Sequence, residues 1–148
     1  MAHEQFEDFT VGEVFRSYAR TITESDIVTF TNFAGLKLPL FIDEEFARAR
    51  TPYGGRIAPG LLTASIAAGM MESVLGPYTL AALALDKFRF EVPVRPGDTL
   101  SAEITVDAKR DTSDGVRGVL SITTRVTNQR AELALQFQTT LLMRKGQV

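Results

Sequence analysis

The sequence predicts an α+β fold in which an antiparallel sheet of about five strands packs on one long helix. Three observations predict it. Apolar residues recur at spacings of three and four from Gly60 to Leu75, as they do in a buried helix. Apolar and polar residues alternate from Leu100 to Lys109, which is typical of a strand with one buried face. Turn signals at Asp114–Gly115 and Asn128–Arg130 separate further strand-like segments, so neighbouring strands are expected to run antiparallel.

Composition sets limits on the class of protein. The chain has 148 residues, no cysteine and a formal net charge of −2. Its length predicts one domain spanning residues 1–148. Without cysteines it has no disulfide and no thiolate metal site, which fits a reducing, cytoplasmic location. The slight negative charge argues against nucleic acid as a partner. We expect no membrane span, because the apolar stretch Leu61 to Leu75 contains Glu72 and is shorter than the ~20 residues a span needs.

The first half of the chain should hold one strand and short helices. Residues 13–22 have strand character. Thr23, with Asp26 three residues later, then predicts a helix start, because a threonine and an acid at this spacing can cap the free amides. The short helix should run over residues 27–34 and stop at Gly35.

A second cap precedes the long helix. Asp43 is expected to open a turn or short helix over residues 44–47. The long helix should begin at Gly60 and continue to Leu75, where Gly76–Pro77 ends it. Its periodic apolar residues are Leu61, Leu62, Ile66, Met70 and Val74.

The second half should be strands. We expect them over residues 80–90, 100–109, 116–126 and about 133–143, with a turn at residues 92–98. In the second of these strands the buried face should include Ala108. In the last strand the inward residues should be Leu133, Leu135, Phe137, Thr139, Leu141 and Met143.

Three segments carry a family resemblance. Residues 34–43 read AGLKLPLFID, residues 54–63 read GGRIAPGLLT and residues 90–100 read FEVPVRPGDTL. They resemble the G-D-x-N-P-x-H-x-D, I-A-H-G and F-x-x-P-V-x-P-G-D-T-L patterns of the MaoC-like (R)-specific enoyl-CoA hydratases. The resemblance extends from about Phe9 to Arg144 and implies a hotdog fold, in which the sheet wraps around the long helix.

The resemblance also shows what has been replaced. Alignment on Gly35, Pro39 and Asp43 identifies the positions of this chain that correspond to the family's catalytic Asp/His dyad and to its asparagine. The aspartate, asparagine and histidine positions are occupied by Leu36, Leu38 and Phe41. We therefore assign no catalytic residue, and expect the chain to be weak or inactive as a hydratase on its own.

No other histidine can compensate by a shift in alignment. The histidine of I-A-H-G is Pro59 here, and the single histidine, His3, lies in an N-terminal segment that we expect to be loose. Candidate substitutes are the polar residues of the region: Lys37, Asp43, Glu44, Tyr53, Arg56 and Ser65. Glu72, near the far end of the long helix, is the candidate for a thioesterase acid. Structural roles are the simpler interpretation of each.

The implied ligand is an acyl thioester, either acyl-CoA or an acyl carrier, with no other cofactor and no metal. The family holds it in a tunnel at the interface of a dimer, where a backbone amide at the start of the central helix binds the thioester oxygen. Here that amide belongs to Gly60, although a glycine that only starts a closely packed helix explains the residue equally well. The candidate substrate-binding residues are Gly60, Leu36, Phe41, Leu38, Tyr53 and Arg56.

Three functional hypotheses follow. The chain is an acyl-thioester-binding protein without the dyad, or the dyad-less subunit of a hetero-oligomeric hydratase, or an enzyme with different acid/base residues, a hydratase or a thioesterase. A sheet edge and a helix apolar on several faces predict a homodimer or higher oligomer, or a pair with a homologous hotdog subunit. We expect the long helices to touch near Ile66, Met70 and Val74.

Overall fold

The computed structural model describes residues 3–146. After a 3-10 turn at Phe6–Asp8, the helices are α1 (Glu24–Ala34), α2 (Pro39–Ile42), α3 (Glu44–Arg50) and α4 (Gly60–Glu72). The strands are β1 (Val14–Arg16), β2 (Arg20–Thr21), β3 (Thr79–Phe90), β4 (Thr99–Asp111), β5 (Arg117–Thr127) and β6 (Leu133–Arg144).

The strands form an antiparallel sheet against which α4 packs. The strand order is β1-β4-β5-β6-β3, and β2 pairs with β4 beyond the end of β1. Buried side chains of α4 share one core with the inward faces of β4, β5 and β6. The α+β class and the hotdog arrangement expected from the sequence are confirmed.

The caps predicted for α1 and α3 are present. The hydroxyl of Thr23 accepts from the amide of Asp26 at 3.1 Å, and the Asp26 carboxylate accepts from the amide of Thr23 at 2.8 Å. Hydrogen bonds from Thr23, the backbone one being the stronger cause, hold the pKa of Asp26 below its usual value. Gly35 ends α1 with φ of 70°, a conformation that favours glycine. The Asp43 carboxylate accepts from the amide of Phe46 at 2.9 Å at the start of α3.

The strand predicted over residues 13–22 is interrupted, so the sheet has six strands rather than five. Ser17 lies between β1 and β2, and its hydroxyl accepts from the amide of Ala102 at 2.8 Å. A side chain thereby takes the place of a backbone carbonyl in the ladder. The prediction of one continuous strand is therefore wrong, although both short strands lie within the predicted residues 13–22.

The central helix is three residues shorter than expected. Regular α-helix ends at Glu72, and the amides of Val74 and Leu75 bond to carbonyls three residues back, at 3.2 and 3.0 Å. The last turn is thus tightened rather than continued, a common way for a helix to end. Gly76 follows it and lies against the backbone of His3 and Glu4.

The predicted alternation in β4 holds only as far as Val106. Leu100, Ala102, Ile104 and Val106 are buried, but Ala108 is exposed. The register with β5 shifts between Val106 and Ala108, which marks a bulge, and an extra residue reverses the faces of the residues that follow. The inward face of β6 is confirmed, with five of its six residues buried and Leu133 half-buried.

The edge strand β3 pairs irregularly and exposes apolar side chains. Among the described residues, 3–146, it pairs only with β6, and it shows three register shifts along that ladder. Lys87 has φ of 54° between two of its residues that do pair. Leu80, Leu83, Leu85 and Phe90 are each more than half exposed in the single chain. Such an edge, apolar and unpaired on one side, is a surface that proteins normally cover.

No helix within residues 3–146 has both the length and the apolar character that crossing a bilayer requires.

The first prediction concerns Met70, which is fully buried in the core rather than available for contact with a second helix. Met70→Ala should lower the free energy of unfolding by about 2–5 kcal/mol, because it removes buried contacts and leaves a cavity. Urea unfolding followed by circular dichroism measures this. The control is Val116→Ala at the β4–β5 hairpin, where a 60% exposed side chain should change stability by less than about 0.5 kcal/mol. Equal effects of the two changes would contradict the burial of Met70.

Candidate functional site

A cleft of about 460 Å³ opens at the N-terminal end of α4, between the helices and the end of β3. Its walls are mostly apolar. The lining residues are Leu40, Phe41, Tyr53, Ile57, Ala58, Gly60, Leu61, Thr63, Phe90, Glu91, Val92, Pro93, Val94 and Ala134. Its volume lies in the range of small-molecule sites, and its walls have the apolar character of such sites.

The start of α4 brings free backbone amides to this cleft. Leu62 and Thr63 both donate to the carbonyl of Pro59, at 3.0 and 3.3 Å. Within residues 3–146 the amides of Gly60 and Leu61 have no acceptor, and Pro59, the N-cap, provides no side-chain cap. Free N–H groups and the positive end of the helix dipole make this a place for a carbonyl or enolate oxygen.

Gly60 also has a packing reason to be glycine. A Cβ atom built on it would lie 2.7 Å from Cε1 of Phe90, closer than side chains approach. The ring of Phe90 therefore lies directly on the first turn of α4 and forms one wall of the cleft. Sequence reasoning placed Phe90 in a strand and missed this role. The only available signal was its position at the head of the F-x-x-P-V pattern.

Two more of the six candidate binding residues share the cleft with Gly60. Phe41 reaches it from α2, a single turn that starts with Pro39, where proline's fixed φ suits a helix. Tyr53 reaches it from the turn after α3. Thr51 holds that turn, donating to the carbonyl of Ala47 at 2.6 Å and accepting from the amide of Tyr53 at 3.3 Å.

Leu36 and Leu38 are not part of the cleft lining. Leu36 is half-buried, and its amide donates to the carbonyl of Thr31 at 3.1 Å as part of the turn that closes α1. Leu38 caps α2 and is 60% exposed. Of the two positions that correspond to the dyad, only position 41 lines the cleft in this structure.

Arg56 is fully engaged in an ion-pair cluster. Its guanidinium lies 2.6 Å from a carboxylate oxygen of Glu24 and 2.7 Å from one of Glu44, and its side chain is 21% exposed. The hydrogen bond from Arg56 keeps the pKa of Glu44 below its usual value, and the same bond raises the pKa of Arg56. The cluster joins α1 and α3 to the segment that leads into α4. A phosphate would have to compete with these two carboxylates.

Most of the other polar candidates have structural partners. Lys37 donates to the side chain of Asn32, and Asp43 caps α3. Ser65 donates to the carbonyl of Leu61 at 2.7 Å, as helical serines often do. Glu72 is exposed at the opposite end of α4 from the cleft. None of these four residues lines the cleft.

His3 packs against other side chains, which differs from the loose N-terminal segment expected from the sequence. Its ring makes edge contacts with Phe9 and Phe15, with centroids 5.0 and 5.1 Å away, and its Nε2 lies 2.8 Å from Glu13. The backbone of His3 lies beside Gly76, beyond the C-terminal end of α4. Thirteen helical residues span roughly 20 Å, so His3 is far from the cleft of its own chain.

Solved structures share this fold. A monoamine oxidase regulatory protein from Archaeoglobus fulgius matches with a TM-score of 0.90 and 36% identity, covering 99% of each chain. A Mycobacterium tuberculosis protein with a double hotdog fold matches with a TM-score of 0.87 and 21% identity, over 96% of this chain and 44% of that one. A chain of the ChsH1–ChsH2 complex of the same organism has a TM-score of 0.77 and 18% identity, with 91% and 98% coverage. The last two show the fold alone.

Curated relatives are named for enoyl-CoA chemistry. The 3-hydroxybutyryl-CoA dehydratase of Methylorubrum extorquens is 39% identical over 106 residues, 68% of this chain and 62% of the relative. The (R)-specific enoyl-CoA hydratase of Rhodospirillum rubrum is 38% identical, over 68% of each. The beta-methylmalyl-CoA dehydratase of Chloroflexus aurantiacus is 32% identical over 95% of this chain. The match spans only 40% of that dehydratase's length.

The family is established by one further match. The sequence pattern of the MaoC-like domain fits residues 7–128, most of the chain, including α4, the first strands of the core and every cleft-lining residue except Ala134. The chain therefore belongs to the MaoC-like domain family, the family of enoyl-CoA hydratases and dehydratases with a hotdog fold.

Proposed function

We propose that this chain binds an acyl thioester, of CoA or of an acyl carrier, in the cleft beside Gly60, and is a weak hydratase when it acts alone. The observation that supports this most is the pairing of two features in one cleft. Gly60 and Leu61, whose amides have no acceptor within residues 3–146, line a mostly apolar cleft, and Phe41 stands at the position that corresponds to the family's catalytic histidine. The cleft thus keeps backbone amides that could hold a thioester oxygen, while neither dyad position carries a side chain that can move a proton.

Hydration needs a base that takes a proton from water and an acid that protonates the α-carbon. Neither Leu36 nor Phe41 can transfer a proton. Positioned acid/base catalysis contributes about 10²–10⁴-fold, so the loss of both groups should leave only a trace of activity. Family membership alone does not determine the substrate. The relatives' names include both hydroxybutyryl-CoA and beta-methylmalyl-CoA.

A second candidate function is the dyad-less subunit of a hetero-oligomeric hydratase. The exposed edge of β3 favours a partner, because Leu80, Leu83 and Leu85 are each more than half exposed. A homologous chain with an intact dyad would then supply the chemistry while this chain shapes the tunnel. The third hypothesis, an enzyme with other acid/base residues, depends on Tyr53, which is the one polar substitute candidate that lines the cleft.

A two-fold dimer through β3 would join two clefts. Gly60 lies by the end of β3 and Leu75 by its beginning, so α4 runs antiparallel to β3. A second cleft of about 510 Å³ lies at that other end, between α4 and Leu80–Leu85. Edge pairing around a two-fold axis brings the beginning of one β3 beside the end of the other. Each cleft at Gly60 would then lie next to the second cleft of the other copy.

The second prediction is that the purified chain binds acyl-CoA but does not hydrate it appreciably. Calorimetry against a panel of acyl-CoA thioesters, with free CoA as the control, should show binding that depends on the acyl group. Hydration of crotonyl-CoA, followed by loss of ultraviolet absorbance, should stay within about tenfold of the buffer rate, because neither Leu36 nor Phe41 can act as an acid or a base. Turnover at the rate of an ordinary family member, abolished by Tyr53→Phe, would favour the third hypothesis instead.

The third prediction concerns restoration of the dyad. The triple change Leu36→Asp, Leu38→Asn and Phe41→His should produce measurable crotonyl-CoA hydration, at or below the low end of a 10²–10⁴-fold gain. A small gain is expected because Leu36 lies outside the cleft lining and catalytic geometry must hold to about 0.5 Å. Phe41→His alone is the matched control and should gain less. A folded triple variant that binds no acyl-CoA would contradict the retained site.

The fourth prediction is a stable dimer. Light scattering after size exclusion at micromolar concentration should give twice the 16.3 kDa mass of the chain, because β3 and the open face of α4 would otherwise stay in water. That open face consists of Leu61, Ser65, Gly69 and Glu72, not of Met70. Leu83→Lys should shift the species toward the monomer, whereas Val116→Lys, at a comparably exposed site on a hairpin, should not. A well-folded monomer of the unaltered chain would rule out the shared tunnel.

A further inference from the structure

The walls of the cleft at Gly60 carry no positively charged side chain. None of the lining residues is a lysine, arginine or histidine; the one acidic residue among them is Glu91, and Tyr53 and Thr63 supply hydroxyls. The Glu91 carboxylate lies 3.4 Å from Nε of Arg89, whose side chain is 74% exposed and outside the lining. This cleft therefore contains no lysine or arginine with which a ligand carboxylate could pair.

One cation beside the cleft, Arg56, is already engaged by other residues. Arg56 is next in sequence to the lining residue Ile57, but its guanidinium is held between Glu24 and Glu44 at 2.6 and 2.7 Å. Two carboxylates already neutralise it. Turning it toward the cleft would leave Glu24 and Glu44 without their partner and would break the link between α1 and α3.

The second cleft would not supply a cation either. Its charged lining residue is Glu72, and its other polar residues are Thr79 and Thr139. Thr139 is 1% exposed, and its hydroxyl has no hydrogen-bond partner within residues 3–146. If two copies join through β3, the completed site gains hydroxyls and an acid, but no lysine or arginine from either lining. Hydroxyls can bond to a neutral polar group, but they cannot neutralise a carboxylate.

We infer that the site accepts thioesters of uncharged acyl groups and rejects acyl groups that carry a second carboxylate. This rests on the proposed function and makes it more specific, since it names the class of acyl group. The physical reason is desolvation. An ionised carboxylate that leaves water for apolar walls without a paired cation loses its hydration at a large cost in free energy. A methyl group makes the same transfer with a favourable free energy.

Butyryl-CoA and succinyl-CoA provide the test, because both acyl groups have four carbons and they differ by a terminal methyl or carboxylate. We expect calorimetry on the unaltered chain to show butyryl-CoA binding at least tenfold more tightly than succinyl-CoA. Leu61→Arg places a cation at a lining position that is 58% exposed in the single chain, so the fold should tolerate it. Because Leu61 also lies on the open face of α4, light scattering on the variant should give the same mass as for the unaltered chain. It should shift the ratio of the two affinities toward succinyl-CoA by at least tenfold.

Val116→Arg is the matched control, since it adds the same charge at a 60% exposed position on the β4–β5 hairpin. It should leave the ratio unchanged, which separates a local effect from that of net charge. Equal or tighter binding of succinyl-CoA by the unaltered chain would overturn the inference while leaving thioester binding intact. If neither thioester binds, the proposed function itself fails, and the inference fails with it.

Discussion

The structure depends on the burial of α4 against one face of a curved sheet. Ala67 and Met70 are fully buried between the helix and the strands, and Leu62 is nearly so. Because the sheet covers only one side, the opposite side of the helix stays open along Leu61, Ser65 and Gly69. The position of the helix also determines where its first amides lie, and therefore where the cleft is.

The N-terminal end of α4 is fixed by two contacts of different kinds. The ring of Phe90 rests on Gly60 so closely that no side chain fits at that position. The Arg56 cluster connects α1 and α3 to the segment just before the helix. An arginine shared by two carboxylates is better suited to holding three segments together than to binding a distant phosphate. Arg56 therefore has a structural role, and its guanidinium is not part of the cleft lining.

Local signals in the sequence predicted the local structure well. The Thr23 and Asp26 cap, the stop at Gly35 and the start at Gly60 are short-range features that depend on backbone hydrogen bonds within one turn. The failures involve contacts between distant residues. Ser17 interrupts a strand because it bonds to Ala102, 85 positions away, and Ala108 turns outward because of a bulge against β5. Helical spacing placed Met70 on an apolar stripe, but it could not say which stripe the sheet would cover.

The site was predicted in part for the same reason. The motif alignment found Gly60 and Phe41, and the search for polar residues near the motifs found Tyr53; the fold brings all three to one cleft. It could not foresee that Leu36 and Leu38 would lie outside the lining, since both belong to the turn between α1 and α2. Phe90 was missed because a strand residue gives no sign in the sequence of the helix end that it will touch. The sequence pattern also could not identify Glu24 and Glu44 as partners of Arg56, because they lie 32 and 12 positions away.

The contents of the cleft favour binding over catalysis under the proposed function. Backbone amides do not depend on side-chain identity, so the groups that would hold a thioester oxygen persist when neighbouring side chains change. Proton transfer does depend on side chains, and position 41 carries a phenyl ring that adds apolar surface at the same place. One substitution of this kind therefore acts in opposite directions on the two properties. It removes the side chain that would transfer a proton during hydration. It also increases the affinity that apolar walls give to an uncharged acyl chain.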